Sequence, residues 1–254
     1  GLVFRAIAAS ICLLPPTILM GATLPAMSRW VETSPQGVAW LGYFYGGNTG
    51  GAVIGSLLAG FYLLRVFDMA TATYVAVALN LLVGGLALLI AGATPYEAGA
   101  GVRDKVKPAA GSWAVYIAIA LSGMTALASQ VIWTRTLSLL FGATVYTFSL
   151  ILAVFLFGIG IGSSLGSVMA RGLDRPRLAL GWVQMLLCGA IAWAAYTLAL
   201  SLPFWPIDPS IATSPWYNFP LDLARAFWVV LPASILWGAS FPLALASVAT
   251  KGQD

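Results

Sequence analysis

Little in this chain could do covalent chemistry. It has no histidine, which excludes His-ligated metal sites, Ser-His-Asp triads and Cys-His pairs. Cys12 and Cys188 each stand alone in an apolar run, without a CxxC motif or a disulfide framework. No metal site and no cofactor is expected. What remains is hydrogen bonding and charge recognition by polar side chains set among apolar ones. Gln130 and Arg135 lie in ASQVIWTRTLSLLFG, and such groups inside a membrane are functional candidates by default. They stand about 140° apart around a helix and do not share a face, whereas Gln130 and Trp133, three residues apart, do. Arg135 also falls one turn from the expected helix end near Leu139 or Phe141, where a long side chain can snorkel to headgroups. Tyr146 opens the next span at similar depth and is placed to hydrogen-bond either polar group. Asn48 and Thr49 sit inside GGNTGGAVIGSLLAG, Gly46 to Gly60. A locally unwound helix there would offer carbonyls and an amide to a solute. These six residues, Asn48, Thr49, Gln130, Trp133, Arg135 and Tyr146, are the candidate cavity lining.

The elements that must position them are set by composition. Of 254 residues 60% are hydrophobic and 8% charged, against about a quarter charged in an average soluble domain. With a mean hydropathy of +0.93, the chain reads as an all-α, polytopic integral membrane bundle with the lipid bilayer as its main partner. A hydrocarbon core of about 30 Å takes roughly 20 helical residues. Seven spans of at least that size follow, over 6–28, 38–64, 70–93, 113–139, 143–170, 178–201 and 223–249. The ten-residue alternation of a barrel strand is absent.

Basic residues cap the spans instead of forming one patch, which argues for membrane orientation and against nucleic acid. Arg29, Arg103, Lys105, Lys107, Arg171, Arg175, Arg177 and Lys251 fall on one side; Arg5, Arg65, Arg135 and Arg225 fall on the other. The richer side is expected in the cytoplasm, and with it the C-terminus. Thr94 to Ser112 reads as a solvated cytoplasmic loop. Leu202 to Pro220 carries five prolines with Trp205, Trp216 and Tyr217, and is expected to be an exterior loop resting on the interface.

Two glycine stripes recur at four-residue spacing: Gly47, Gly51 and Gly55 in the second span, and Gly158, Gly162 and Gly166 in the fifth. Each removes bulk from one helix face and admits another backbone. Neither is a phosphate loop or a dinucleotide fingerprint, which need a strand before the glycines.

An internal repeat relates LLPPTILMGATLPAM from Leu13 to VLPASILWGASFPLA from Val230. Leu14, Pro15, Ile18, Leu19, Gly21, Ala22 and Pro25 match Leu231, Pro232, Ile235, Leu236, Gly238, Ala239 and Pro242. Kinks are expected at Pro15, Pro25, Pro232 and Pro242. The duplication divides the chain into 1–93, the later part of one membrane repeat, a loop over 94–112, and 113–254, the earlier part of the next. With Gly1 in place of an initiator methionine, the sequence reads as the middle of a longer polypeptide.

All eight acidic residues (Glu32, Asp68, Glu97, Asp104, Asp174, Asp208, Asp222 and Asp254) fall at expected helix ends or in loops. Proton-coupled transport normally uses a buried acid or histidine, so a pump or symporter is disfavoured.

Three ordered elements resemble the membrane domain of the fused major-facilitator/spermidine-synthase-like bacterial proteins. They are SQVIWTRTLSLLFGATVYTFSLILAVFLFGIGIGS (Ser129 to Ser163), the twice-occurring proline element, and YGGNTGGAVIGSLLAGFYLL (Tyr45 to Leu64). The resemblance implies a bacterial cytoplasmic (inner) membrane location and a following cytoplasmic aminopropyltransferase-like domain. The segment itself shows no nucleotide site or acidic catalytic pair, so it is expected not to be an enzyme. The family carries Glu where this chain has Gln130, which removes an acid able to hold a cation and argues against an intramembrane polyamine site. The leading expectation is a non-catalytic membrane anchor or accompanying module for a fused or partner synthase-like domain. The alternatives are a transporter-like domain for a small or cationic solute, and a structural subunit packed against other membrane subunits.

Overall fold

The computed structural model describes residues 1–31, 37–93, 111–205 and 215–248. The fold is all-α, with no strand among the described residues. Helix α1 is Leu2–Val31. Helix α2, Gly37–Leu58, passes through a π-helical turn at Ala59–Leu63 into a last turn at Leu64–Val66. Then come α3 (Met69–Ala93), α4 (Ser112–Phe141), α5 (Val145–Gly172), α6 (Pro176–Tyr196) and α7 (Pro215–Val248). Among the described residues seven helices are long and apolar enough to cross a membrane, the construction of a multi-pass membrane protein. A helix suits lipid because it satisfies every interior N–H and C=O within the segment.

The helix ends follow from local chemistry. Asp68 caps α3: its Oδ1 accepts the Thr71 N–H at 2.8 Å, taking up one of the orphan donors of the first turn. Hydrogen bonds from the Thr71 hydroxyl and N–H hold the Asp68 carboxyl below the usual carboxylate range. Between α4 and α5 the chain reverses in three residues. Gly142 takes φ +92, a backbone conformation open to glycine. Thr144 then caps α5 by accepting the Thr147 N–H, and the Thr147 hydroxyl donates back to the Gly142 carbonyl at 2.7 Å.

The last connection corrects the expectation. Helix α6 runs on through a π-helical turn at Thr197–Ser201 and a 3-10 turn at Leu202–Phe204, and α7 begins at Pro215 instead of 223. Pro215 is the first helical residue, where its missing N–H is no loss, and Pro220 forfeits one bond early in the helix. The interfacial loop is therefore shorter than Leu202 to Pro220, and residues 206–214 of it lie outside the described residues. So does most of the expected cytoplasmic loop, 94–110. Helix α1 runs unbroken through Pro15 and Pro25, and α7 through Pro220, Pro232 and Pro242.

The chain groups into two compact units. The first comprises Gly1–Asn48 with Gly85–Val102. In it the described side chains of α1 are all exposed. The second comprises Thr49–Gly84 with Arg103–Asp254. There α7 is the hub, in contact with α4, α5 and α6. Leu137, Leu150, Ile151, Val229, Val230 and Leu243 are fully buried around it. Its buried hydroxyls are satisfied within the helix: Ser234 donates to the Val230 carbonyl at 2.7 Å and Ser240 to that of Leu236 at 2.8 Å.

Candidate functional site

In the second unit α5 and α7 meet along a seam of glycines. Gly158, Gly162 and Gly166 face α7 directly. A methyl on Gly158 would sit 2.5 Å from Ser234 Cβ, one on Gly162 would overlap the Ile235 carbonyl, and one on Gly166 would come within 2.7 Å of the Ala239 oxygen. From the other side, a methyl on Gly238 would overlap the Ile159 carbonyl. Ser163 crosses the seam, donating to the Gly238 carbonyl at 2.9 Å. The stripe on α2 behaves differently. Among the described residues nothing lies within 4 Å of a methyl placed on Gly47, Gly51 or Gly55.

A second polar contact joins three helices. Gln184 on α6 donates to Ser122 on α4 at 3.3 Å and to Ser240 on α7 at 3.0 Å. Gln184 was not singled out by sequence reasoning, although a lone amide in LGWVQMLLC carries the same signal as Gln130. Arg177 ties the start of α6 to the end of α7, its Nε donating to the Ser247 carbonyl at 3.1 Å.

The candidate cavity residues are partly brought together. Trp133 is buried, its ring 5.7 Å from that of Trp237, which lies 6.0 Å from Phe155. Among the described residues both amide atoms of Gln130 are buried without a hydrogen-bond partner, as is the Trp237 Nε1. Tyr146 does not bond Gln130 or Arg135 as expected. Its ring turns instead to Phe61, at 4.8 Å, and Phe219, at 6.4 Å, and its hydroxyl is buried unpaired. Phe61 belongs to the π-helical turn of α2, where Gly60 lets the backbone press against Ser149 of α5. Arg135 is exposed.

Asn48 is exposed and Thr49 half-buried, with its methyl 2.7 Å from where a Cβ on Gly160 would lie. The helix is regular at both positions. The unwound alternative to a packing seam at Asn48–Thr49 is therefore not seen: the irregular turn comes later, at Ala59–Leu63.

One pair escaped the sequence reading because α7 starts early. Asp222, expected at a helix end, lies inside the seventh span, with its side chain 13% exposed. It meets Arg225 Nη1 at 3.5 Å, and Arg225 Nε is buried without a partner. Among the described residues no three His, Cys, Asp or Glu side chains gather to hold a metal. The two cysteines are free and exposed. An open groove of about 700 Å³ between α6 and α7 is walled by Trp193, Ala224, Phe227, Trp228, Leu231 and Pro232, a lining suited to hydrocarbon.

Comparison with family models, curated proteins and solved structures gives no match.

Proposed function

We propose that this chain is a non-catalytic membrane module resembling the membrane part of the fused spermidine-synthase-like proteins. It anchors or accompanies a synthase-like domain at the bacterial cytoplasmic membrane, with its C-terminal end on the cytoplasmic side. The observation that carries this reading is the α5–α7 seam. Three glycines meet backbone or Cβ atoms so closely that the two helices have one packing arrangement, which suits a fixed platform better than a moving gate. Polar side chains are used in the same way, with Gln184, Ser163 and Arg177 joining helix to helix. The sequence elements from Ser129 to Ser163 and from Tyr45 to Leu64 supply the family side of the reading. Its test is peptide mapping of the polypeptide that carries this sequence in native membranes. Peptides of an aminopropyltransferase-like α/β domain are expected in the same purified species; a species with none overturns the reading.

A second reading, a transporter-like domain for a small or cationic solute, is favoured by one observation. The Gln130 amide and the Tyr146 hydroxyl are buried without partners among the described residues, and such groups in a membrane interior often mark a solute path. Loss of solute uptake in proteoliposomes with Gln130→Leu would support it, and unchanged uptake excludes that site.

A further inference from the structure

Two prolines interrupt the backbone bonding of α7 from within. Pro232 has no N–H to give the carbonyl four residues back, that of Trp228, and Pro242 has none for Gly238. In lipid an unmet carbonyl is costly, because no water is at hand to bond it. Both carbonyls are met from outside the helix. Trp193 on α6 donates its indole N–H to the Trp228 carbonyl at 3.2 Å, and Ser163 on α5 donates to that of Gly238 at 2.9 Å. Each neighbouring helix supplies a bond that a proline withholds, and α7 runs unbroken through both positions.

The two supports differ in their surroundings. Ser163 is 2% exposed and lies in the glycine seam, where backbone contact holds α5 to α7 in addition to the bond. Trp193 is 40% exposed and stands with Trp228 and Pro232 in the wall of the open groove. Its ring meets that of Trp228 edge-on at 5.4 Å. Pro232 also marks where the grip on α7 changes. The α5 glycines meet α7 from Leu231 onward, at backbone distance. Before that point α7 is held by side-chain packing, with Ala226, Val229 and Val230 buried.

We propose that Pro232 is a joint in α7 which Trp193 holds shut. The groove is bounded by Phe227 and Leu231 before the joint and by Ile235 after it, so opening the joint reshapes the groove. It also carries with it the segment that bears the Asp222–Arg225 pair, while the seam beyond keeps its packing. A bend of about 20° at Pro232 moves Tyr217, about 22 Å away along the helix, roughly 8 Å sideways. The proposal does not rest on the anchoring reading.

The test uses the full chain in lipid nanodiscs, with Cys12→Ser and Cys188→Ser. Spin labels are placed on Tyr217→Cys and Leu139→Cys, exposed positions near the start of α7 and the end of α4. Pulsed dipolar spectroscopy should give one narrow distance distribution. Trp193→Phe keeps a ring but removes the N–H, and should broaden the distribution by several ångströms. Adding Pro232→Ala, which returns an N–H to the Trp228 carbonyl, should narrow it again. A distribution that Trp193→Phe leaves unchanged overturns the proposal. So does one that stays broad with Pro232→Ala, since Trp193 would then act by packing alone. If Trp193→Phe does not fold, recovery of folding with Pro232→Ala supports the joint, and continued failure overturns it.

Discussion

Gly162 of α5 lies so close to the carbonyl of Ile235 on α7 that no side chain fits between them. This contact fixes how the second unit packs. In lipid there is no hydrophobic drive to bring helices together, so association rests on close backbone approach and on hydrogen bonds. The α5–α7 seam has both: three glycines for approach, and Ser163 donating across it to Gly238.

The bond from Gln184 to Ser122 and Ser240 is expected to stabilise the joining of α4, α6 and α7 modestly. Gln184→Leu should cost about 1 kcal/mol, in the range measured for side-chain bonds between membrane helices. Equilibrium unfolding in mixed micelles checks it; a stabilised variant would mean that the amide is not bonded as described.

Gln130 should behave in the opposite way. Its amide is buried and unpaired, so Gln130→Leu removes a desolvated polar group and should be neutral or raise stability by about 1 kcal/mol. A clear loss of stability in the same assay would show that the amide has a partner in the folded protein.

The difference between these two glutamines shows how far the sequence could be read. Both announce themselves as lone amides in apolar spans, but only the packing of α4, α6 and α7 decides which finds acceptors. The glycine stripes give the same lesson. Gly47, Gly51 and Gly55 have the spacing of Gly158, Gly162 and Gly166, yet among the described residues only the latter set faces another helix at contact distance. Spans were legible because the transfer energetics of some 20 residues are additive and local. The start of α7 is not, because prolines in a row read as breakers whereas Pro215 is a helix-starting residue. That misplacement hid the Asp222–Arg225 pair.

Breaking that pair should be costly. With Arg225 buried and Asp222 nearly so, Asp222→Asn leaves a buried guanidinium uncompensated and is expected to destabilise by about 3 kcal/mol. Replacing both, with Asp222→Leu and Arg225→Met, should recover most of the loss. Thermal denaturation of the native protein and the two variants decides it, and a double variant worse than the single contradicts the pairing.

At the start of α3, acid should loosen the first turn. The folded Asp68 carboxyl gives up its proton more readily than the unfolded one. Its capping contribution is therefore complete above the ordinary carboxylate range, near pH 4. It is lost as pH falls through the lower folded value. Hydrogen-exchange protection of the Thr71 amide should drop over that window in the native protein. Asp68→Asn should abolish the pH dependence while leaving some protection. A native profile flat through acid would exclude the cap.

The most direct test compares two glycines with the same apparent motif, Gly162 and Gly51. Leucine is placed at each in turn, and reversible unfolding is followed in bilayer-like micelles. Gly162→Leu must push α5 off α7 and should cost about 3 kcal/mol or more. Among the described residues Gly51→Leu meets nothing within 4 Å, and it should be neutral or slightly stabilising, leucine being the better helix former. Equal losses at both positions, or none at Gly162, would contradict the seam on which this account of the protein rests.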